Sequence, residues 1–277
     1  MMTYFKRLAR YVLNGHPKIE IKAAITTSDR NNILKGRRIV ITGGGRGLGH
    51  AIAKKCIESG ANVLITGRNE ETLKSAVDGN ESMSYIPMDV TDFNNYSAFF
   101  DEAERILDGK IDTLVNNAGI SLHEGWYESV TLDSWDRQFN TNLKGPYFLS
   151  KEFISRIDDS DNKSKNIIFI SSERGLYCDD IPYGLIKAAI NSLTQGLGRR
   201  LLNRNIYVNA IAPGVTASDM TGYDATGNLY RPQACSNRVY HPDEVAELAV
   251  FLISDLSKCI SSQIIPTQNG NHLRCDW

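Results

Sequence analysis

Tyr183 and Lys187 lie four residues apart in the segment "YGLIKAAINSLTQGLG", a spacing that places two side chains on one face of a helix. A free phenol has a pKa of about 10, which is poorly matched to proton transfer at neutral pH. An ammonium about 4–5 Å away would favour the phenolate by roughly 3–4 kcal/mol at an effective dielectric of about 20. The spacing therefore predicts a proton-transfer pair in which Lys187 lowers the pKa of Tyr183.

A second pair with the same spacing, Tyr147 and Lys151, occurs in "YFLSK". Because the chain contains 12 tyrosines, chance alone gives about half a match to this pattern. The spacing alone does not show which of the two pairs is catalytic. Their positions relative to other motifs have to decide.

A glycine-rich segment, "TGGGRGLGH", runs from Thr42 to His50, directly after an apolar run and before a helical pattern. Such a turn lets the backbone approach a pyrophosphate, whose charge is stabilised by the N–H groups at the start of the helix. A glycine-rich turn without a ligand is the alternative interpretation. The residues expected at the dinucleotide are Gly43, Arg46, Gly47, Leu48 and Gly49.

The second apolar run ends in "VLITGR", with Arg68 near the position where NAD-binding proteins carry an acidic residue for the adenosine 2′-hydroxyl. A guanidinium binds a 2′-phosphate through two hydrogen bonds, and Arg46 supplies a second positive group. The sequence therefore favours NADP, with NAD as the other candidate cofactor. Solvated surface charges are the alternative interpretation of both arginines.

Short apolar runs rich in β-branched residues alternate with helical periodicity from residue 37 onward. This alternation predicts an α/β fold, a single-domain doubly wound (Rossmann) parallel sheet of about seven strands with helices on both faces. The predicted strands are 37–42, 62–66, 84–87, 113–116, 166–171, 206–211 and 263–266, and the predicted helices include 47–59, 94–107, 134–157, 184–202 and 242–254.

Three segments organise the chain. Residues 1–36 are predicted to be an N-terminal extension, and residues 37–277 to form the catalytic domain. Within that domain, residues 216–241 are rich in Gly, Ser, Asn and Asp, which predicts a long loop acting as a substrate lid.

The composition of the 277-residue chain, 42% hydrophobic and 23% charged, is typical of a globular protein with a sizeable core. The net charge of −1 gives no general attraction to nucleic acid or to an anionic membrane. Five cysteines and five histidines are scattered without metal-ligand spacing, which predicts no metal site and free thiols in the cytoplasm. No apolar run reaches the roughly 18 residues of a membrane helix, so no integral membrane segment is expected.

Taken in order, the motifs resemble those of the compact subgroup of the short-chain dehydrogenase/reductase family, over roughly residues 36–270. In that family the tyrosine follows the strand that carries the serine, here "NIIFISSERG", so the resemblance selects Tyr183 over Tyr147. The motifs are Thr42-Gly43-x-x-x-Gly47-x-Gly49, Asn116-Asn117-Ala118-Gly119, Ser172, Tyr183-x-x-x-Lys187 and Pro213-Gly214.

The resemblance implies an NAD(P)-dependent oxidoreductase that interconverts a carbonyl and a secondary alcohol, similar to 3-oxoacyl-acyl-carrier-protein reductases. Tyr183 would donate the proton to the carbonyl oxygen, Ser172 would hydrogen-bond the same oxygen, and Lys187 would also hold the nicotinamide ribose. Asn142 would anchor a water in the proton relay, and Ser171 is the alternative to Ser172. The resemblance places further residues at the cofactor: Asp89, Val90, Asn116, Ala118, Gly119, Pro213, Gly214 and Thr216.

The same resemblance implies a small-molecule carbonyl or alcohol substrate and a homodimer or homotetramer. A non-catalytic dinucleotide-binding sensor or scaffold on the same fold is the alternative function, against which the complete Ser-Tyr-Lys set argues. Two features depart from the family pattern. The interval from Ser172 to Tyr183 is short, at eleven residues, and "TQNGN" replaces the usual Asp-Gly-Gly after the last strand.

Overall fold

The computed structural model describes residues 32–273, in which strands and helices alternate along the chain. The strands are β1 (Arg38–Thr42), β2 (Asn62–Gly67), β3 (Met83–Pro87), β4 (Thr113–Asn116), β5 (Lys165–Ile170), β6 (Ile206–Pro213) and β7 (Ile264–Thr267). The α-helices are α1 (Gly47–Glu58), α2 (Glu70–Val77), α3 (Tyr96–Ile106), α4 (Leu132–Phe139), α5 (Gly145–Ser155), α6 (Pro182–Leu201) and α7 (Pro242–Ile253).

The described strands form one parallel sheet of seven strands in the order β3-β2-β1-β4-β5-β6-β7. From β1 the chain adds β2 and β3 toward one edge of the sheet, and from β4 it adds β5, β6 and β7 toward the other edge. The direction of the connections therefore reverses between β1 and β4. In open α/β sheets, ligands bind outside the carboxyl ends of the strands at this point. The predicted doubly wound fold is confirmed.

Both faces of the sheet are covered, because side chains alternate along each strand. In β1, Ile39 and Ile41 belong to the core cluster that includes Ile52 of α1, while Val40 between them belongs to the cluster that includes Phe100 of α3. All five side chains are fully buried. This two-sided burial explains why the strands appear in the sequence as continuous apolar runs.

The prediction of one helix over 134–157 is wrong in detail. The segment consists of α4, a π-helical turn at Asn140–Lys144, and α5. A π turn inserts an extra residue into the helix and is common at functional sites.

The short helix α2 is not among the predicted helices named above. Asn69 caps it by accepting a hydrogen bond from the Thr72 N–H at 2.8 Å.

Residues 1–31 of the predicted N-terminal extension lie outside the described part of the chain. Leu34, just before β1, is fully buried in the cluster beside α1. The boundary after residue 36 stays a prediction. Among residues 32–273, every helix is too short or too polar to traverse a lipid bilayer.

A buried ion pair lies at the amino-terminal edge of the sheet. Lys165 Nζ is 3.1 Å from Asp112 Oδ1 and 2.7 Å from Asp161 Oδ2, and the side chains of Lys165 and Asp112 are only 4% and 5% exposed. Replacing Lys165 with methionine is expected to lower the free energy of unfolding by about 3–5 kcal/mol, because Asp112 is left as a buried charge without its cation.

Urea unfolding measures this loss. The matched control is Arg105→Gln, which removes an exposed ion pair with Glu102 on α3 and is expected to cost at most about 0.5 kcal/mol. Equal losses in the two variants would contradict the prediction.

Candidate active site

The carboxyl ends of the strands open into a central cleft of about 630 Å³. The glycine turn between β1 and α1 lines one part of it, and Ser172, Tyr183 and Lys187 line another. The topology therefore brings two distant sequence motifs into one space. This cleft is the candidate active site.

The glycine turn has a backbone that few other residues adopt. Gly43 and Gly47 have φ values of +64° and +55°, in the left-handed region that glycine enters without strain. A β-carbon at Gly49 would lie 2.4 Å from both the Asn117 Nδ2 and the Gly43 carbonyl oxygen. No side chain caps the start of α1, and its first turn contains no acidic residue, so its N–H groups suit an anion. The turn fits a dinucleotide pyrophosphate.

Thr42 and Asn117 connect this turn to the end of β4. The Thr42 hydroxyl accepts hydrogen bonds from the N–H groups of Asn117 and Ala118, each at 3.0 Å. In return, the Asn117 side-chain amide donates to the carbonyls of Thr42 and Gly43 at 2.9 and 3.0 Å. These four bonds fix the floor of the cleft.

The structure does not bring Asn116 to the cleft. Its side chain is 4% exposed and donates to the Ser150 hydroxyl on α5 at 3.0 Å. Asn117 lines the cleft instead. Successive side chains at a strand end point to opposite sides, so only one of the two asparagines could face the cleft. The alternation of side chains along a strand could therefore have shown, from the sequence, that Asn116 and Asn117 do not both face the cleft.

The predicted charged contacts all reach the cleft rim. Arg68 lies in the turn after β2, and Asp89 follows β3 with its carboxylate accepting from Thr91 N and Oγ1 at 2.8 Å. Arg46 forms a 2.7 Å ion pair with Asp219 of the long 216–241 loop, and both side chains are more than 70% exposed. Arg68 is thus available to an anionic group, whereas Arg46 is paired with Asp219.

Most other predicted cofactor residues line the cleft as well: Leu48, Val90, Ala118, Gly119, Pro213, Gly214 and Thr216. Several further residues that line the cleft belong to no motif recognised in the sequence: Ile120, Ser121, Thr141, Ser218, Asp219, Met220 and Thr221. The last four belong to the 216–241 loop, whose predicted irregular structure is confirmed and contains only isolated β-bridges.

Ser172 and Tyr183 meet because β5 ends just before the serine and α6 begins just before the tyrosine. Pro182 occupies the first turn of α6, where its missing N–H carries no penalty. Ser171 also lines the cleft, but its hydroxyl is buried and donates to the Asn191 side chain at 2.6 Å. Ser172 lines the cleft together with Tyr183.

Lys187 lies one turn after Tyr183 on the same face of α6, with Nζ 5.5 Å from the centre of the phenol ring. The lysine is 5% exposed, and Nζ donates to the Ile170 carbonyl at 2.7 Å. Burial lowers the pKa of Lys187 to about 8, because removal from water disfavours the ammonium.

The predicted low pKa of Tyr183 is wrong for the protein alone. Burial raises the pKa of this phenol, and hydrogen bonding with Ser172 and the positive charge of Arg174 only partly oppose it. The lysine effect assumed a fully charged ammonium close to the hydroxyl. Instead, Lys187 is itself desolvated and directed toward Ile170.

Asn142 lies in the π-helical turn, 2% exposed and behind the cleft wall. Its side-chain amide donates to the Ile120 carbonyl at 2.7 Å and accepts from the Ile120 N–H at 2.8 Å. This pair of bonds fixes the segment after β4. Its predicted role as a water anchor stays a prediction.

Tyr147 and Lys151 lie on α5 away from the residues that line the cleft. The Tyr147 ring is 47% exposed and packs edge-on against Phe148 at 5.1 Å. The Lys151 ammonium lies 5.9 Å from the Phe148 ring centre. The second Tyr-x-x-x-Lys pair is therefore a surface feature of α5.

Comparison with known proteins agrees with this geometry. A family model described as Enoyl-(Acyl carrier protein) reductase matches residues 43–272. The 3-oxoacyl-(acyl-carrier-protein) reductase FabG of Aquifex aeolicus is 31% identical over 247 residues, which cover 86% of this chain and 98% of that protein.

Two solved structures are similar over most of the chain. The 3-ketoacyl-(acyl-carrier-protein) reductase of Brucella melitensis, complexed with NADH, has a TM-score of 0.79 and 25% identity, covering 86% of this chain and 99% of that one. A short chain dehydrogenase of Burkholderia cenocepacia J2315, in complex with NADP, has a TM-score of 0.78 and 30% identity, covering 87% and 99%. With the matched family model and the Ser-Tyr-Lys cleft, these similarities show that the chain belongs to the short-chain dehydrogenase/reductase family.

Proposed function

We propose that this protein is an NADP-dependent oxidoreductase that interconverts a carbonyl and a secondary alcohol. One observation carries the proposal: Ser172, Tyr183 and Lys187 line the same cleft as a glycine turn that fits a pyrophosphate. A proton donor and a dinucleotide site in one cleft are the two components that carbonyl reduction requires.

Each side chain of the site has a separate role in the proposed reaction. A dinucleotide bound in the cleft would supply the hydride to the carbonyl carbon. Tyr183 gives its hydroxyl proton to the carbonyl oxygen, and Ser172 holds that oxygen by a hydrogen bond. Lys187, whose ammonium lies 5.5 Å from the centre of the phenol ring, would hold the nicotinamide ribose. In the reverse direction, the phenolate accepts the alcohol proton.

NADP is the proposed cofactor, with NAD as the alternative. Arg68 and Arg46 line the cleft where a 2′-phosphate would require positive charge. The Burkholderia relative binds NADP and the Brucella relative binds NADH, so the fold accommodates either. The two arginines support the phosphorylated form.

Replacing Arg68 with alanine is expected to weaken NADPH binding by about 10–100-fold, because charge-assisted hydrogen bonds contribute roughly 1.5–3 kcal/mol. NADH affinity should stay within about twofold, since NADH lacks the 2′-phosphate. Fluorescence titration measures both constants. Arg105→Ala on α3 is the matched control, and an equal loss for both cofactors in Arg68→Ala would contradict the assignment.

The function itself is tested with a panel of carbonyl substrates and NADPH, followed by absorbance. The panel contains 3-oxoacyl thioesters, small ketones, keto sugars and steroid ketones, and the Aquifex relative's name places 3-oxoacyl thioesters first. Turnover of one class is the expected result. Tight NADPH binding without turnover of any class would favour a sensor or scaffold instead.

We also propose a cytoplasmic homodimer or homotetramer. The scattered cysteines support the reducing compartment. The exposed aromatic rings of Tyr147 and Phe148 on α5, 47% and 40% exposed, support self-association. Light scattering of the purified chain tests the assembly, and a monomeric mass would contradict it.

A further inference from the structure

The loop between Ser172 and Tyr183 contains a two-pronged ion pair. Arg174 Nε lies 2.5 Å from Asp179 Oδ2, and Arg174 Nη2 lies 2.7 Å from Asp179 Oδ1. The Asp179 side chain is only 4% exposed, whereas that of Arg174 is 44% exposed. This geometry joins the two halves of the eleven-residue interval between Ser172 and Tyr183.

Asp179 is itself fixed at the start of α6. Its Oδ1 accepts hydrogen bonds from the N–H groups of Asp180 and Ile181 at 2.9 and 3.2 Å. Its carboxylate packs on Gly184, where a β-carbon would come within 1.9 Å of Oδ2. The anchor of Arg174 is therefore packed closely against the first turn of α6, which carries Tyr183.

Arg174 also acts on the two proposed reacting groups, Ser172 through a backbone hydrogen bond and Tyr183 through its charge. Its backbone N–H donates to Ser172 Oγ at 3.2 Å. Its guanidinium charge lowers the pKa of Tyr183, opposing the effect of burial. Lys187, which is on α6 with Tyr183, directs its ammonium to the Ile170 carbonyl.

We propose that Arg174, held by Asp179, is a positioning residue for the proposed carbonyl reduction, fixing Ser172 relative to Tyr183 and adding positive charge beside the phenol. The inference rests on the proposed function. The charged and titratable groups around Tyr183 come from several elements: Arg174, Asp179 and Asp180 from the loop, Lys187 from α6, and His123 from the segment after β4.

The first test follows the ionisation of Tyr183 without any turnover. Protein with carbon-13 at the tyrosine ring carbon bonded to oxygen is titrated by NMR from about pH 8 to about pH 12.5, because the pKa of the buried phenol lies above its ordinary value, and Tyr183→Phe assigns the signal. In Arg174→Gln the Tyr183 signal is expected to titrate about 0.5–1 pH unit higher than in wild type, because one nearby positive charge is lost. In Arg174→Lys, which keeps the charge, it should move by less than about 0.3 unit.

The second test measures the reaction. Arg174→Gln is expected to lower kcat by about 10-fold with a smaller change in KM, and to move the pH profile of kcat upward with the NMR titration. Arg174→Lys should restore the pH profile but only part of kcat, since lysine cannot make the two-pronged bond to Asp179. The matched control is Arg105→Gln, which removes a similar two-pronged bond to Glu102 on α3.

Circular dichroism at each pH checks that every variant is folded. A Tyr183 titration in Arg174→Gln that matches wild type would overturn the proposal, even if turnover falls. An arginine with a purely structural role could lower turnover in this way without changing the pKa of Tyr183. The opposite pattern is also informative. A shifted titration in a protein that turns over no substrate would support the role of Arg174 and contradict the proposed function.

Discussion

Replacing Tyr183 with phenylalanine is expected to lower kcat/KM for carbonyl reduction by about 10²–10⁴-fold, the usual contribution of a positioned proton donor. The ring keeps its packing on α6, and only the hydroxyl beside Ser172 is lost. NADPH affinity should therefore stay within about threefold, since the glycine turn and Arg68 are untouched. Steady-state kinetics and fluorescence titration measure the two quantities.

The chain supplies its own control for this experiment. Tyr147→Phe makes the same chemical change in the second Tyr-x-x-x-Lys pair, whose ring is half-exposed on α5. Its kcat/KM should stay close to that of wild type. If Tyr183→Phe retained full turnover, or if Tyr147→Phe lost it, the assignment of the proton donor would be wrong.

Lys187→Met is expected to separate activity from stability. Turnover should fall by about 10²-fold or more, because positive charge near the phenol is lost. The free energy of unfolding at neutral pH should rise by about 1–3 kcal/mol, since burying the ammonium costs more than its bond to the Ile170 carbonyl contributes. Urea unfolding and steady-state assays on one preparation test both parts.

The stability gain has a defined pH dependence. The pKa of Lys187 is about 8 in the folded protein and about 10.5 in an unfolded chain. Between these values the unfolded chain binds more protons, so wild-type stability rises with pH across that window. Methionine does not titrate. The advantage of Lys187→Met is therefore largest below about pH 8 and narrows toward about pH 10.5.

Lys151→Met is the matched control, because Lys151 is exposed on α5. It should change neither turnover nor the pH dependence of unfolding. A lower stability of Lys187→Met at neutral pH would show that the bond to the Ile170 carbonyl outweighs the burial of charge. In that case the lysine would stabilise the unliganded fold.

The fold and much of the cleft lining were predictable from the sequence, because both depend on local order. Continuous apolar runs alternating with helical periodicity specify a parallel sheet. Glycines with positive φ at Gly43 and Gly47 mark the turn at the end of β1. The family resemblance, in which the tyrosine follows the strand that carries the serine, was enough to prefer Tyr183 to the copy at Tyr147.

Side-chain direction and burial were not predictable in the same way. Whether Asn116 or Asn117 faces the cleft depends on the register of β4, and the Asn142 amide is occupied by Ile120, more than twenty residues earlier in the chain. The raised pKa of Tyr183 depends on how much protein surrounds the phenol.

The sequence by itself determined the kind of fold, the position of the glycine turn and the preference for Tyr183 over Tyr147, since each follows from the order of motifs along the chain. Only the tertiary structure decided the electrostatics of that pair, including the Arg174–Asp179 contact and the direction of Lys187 toward Ile170. The physical reason is that desolvation and charge act through space, so they depend on which distant segments fold against the phenol.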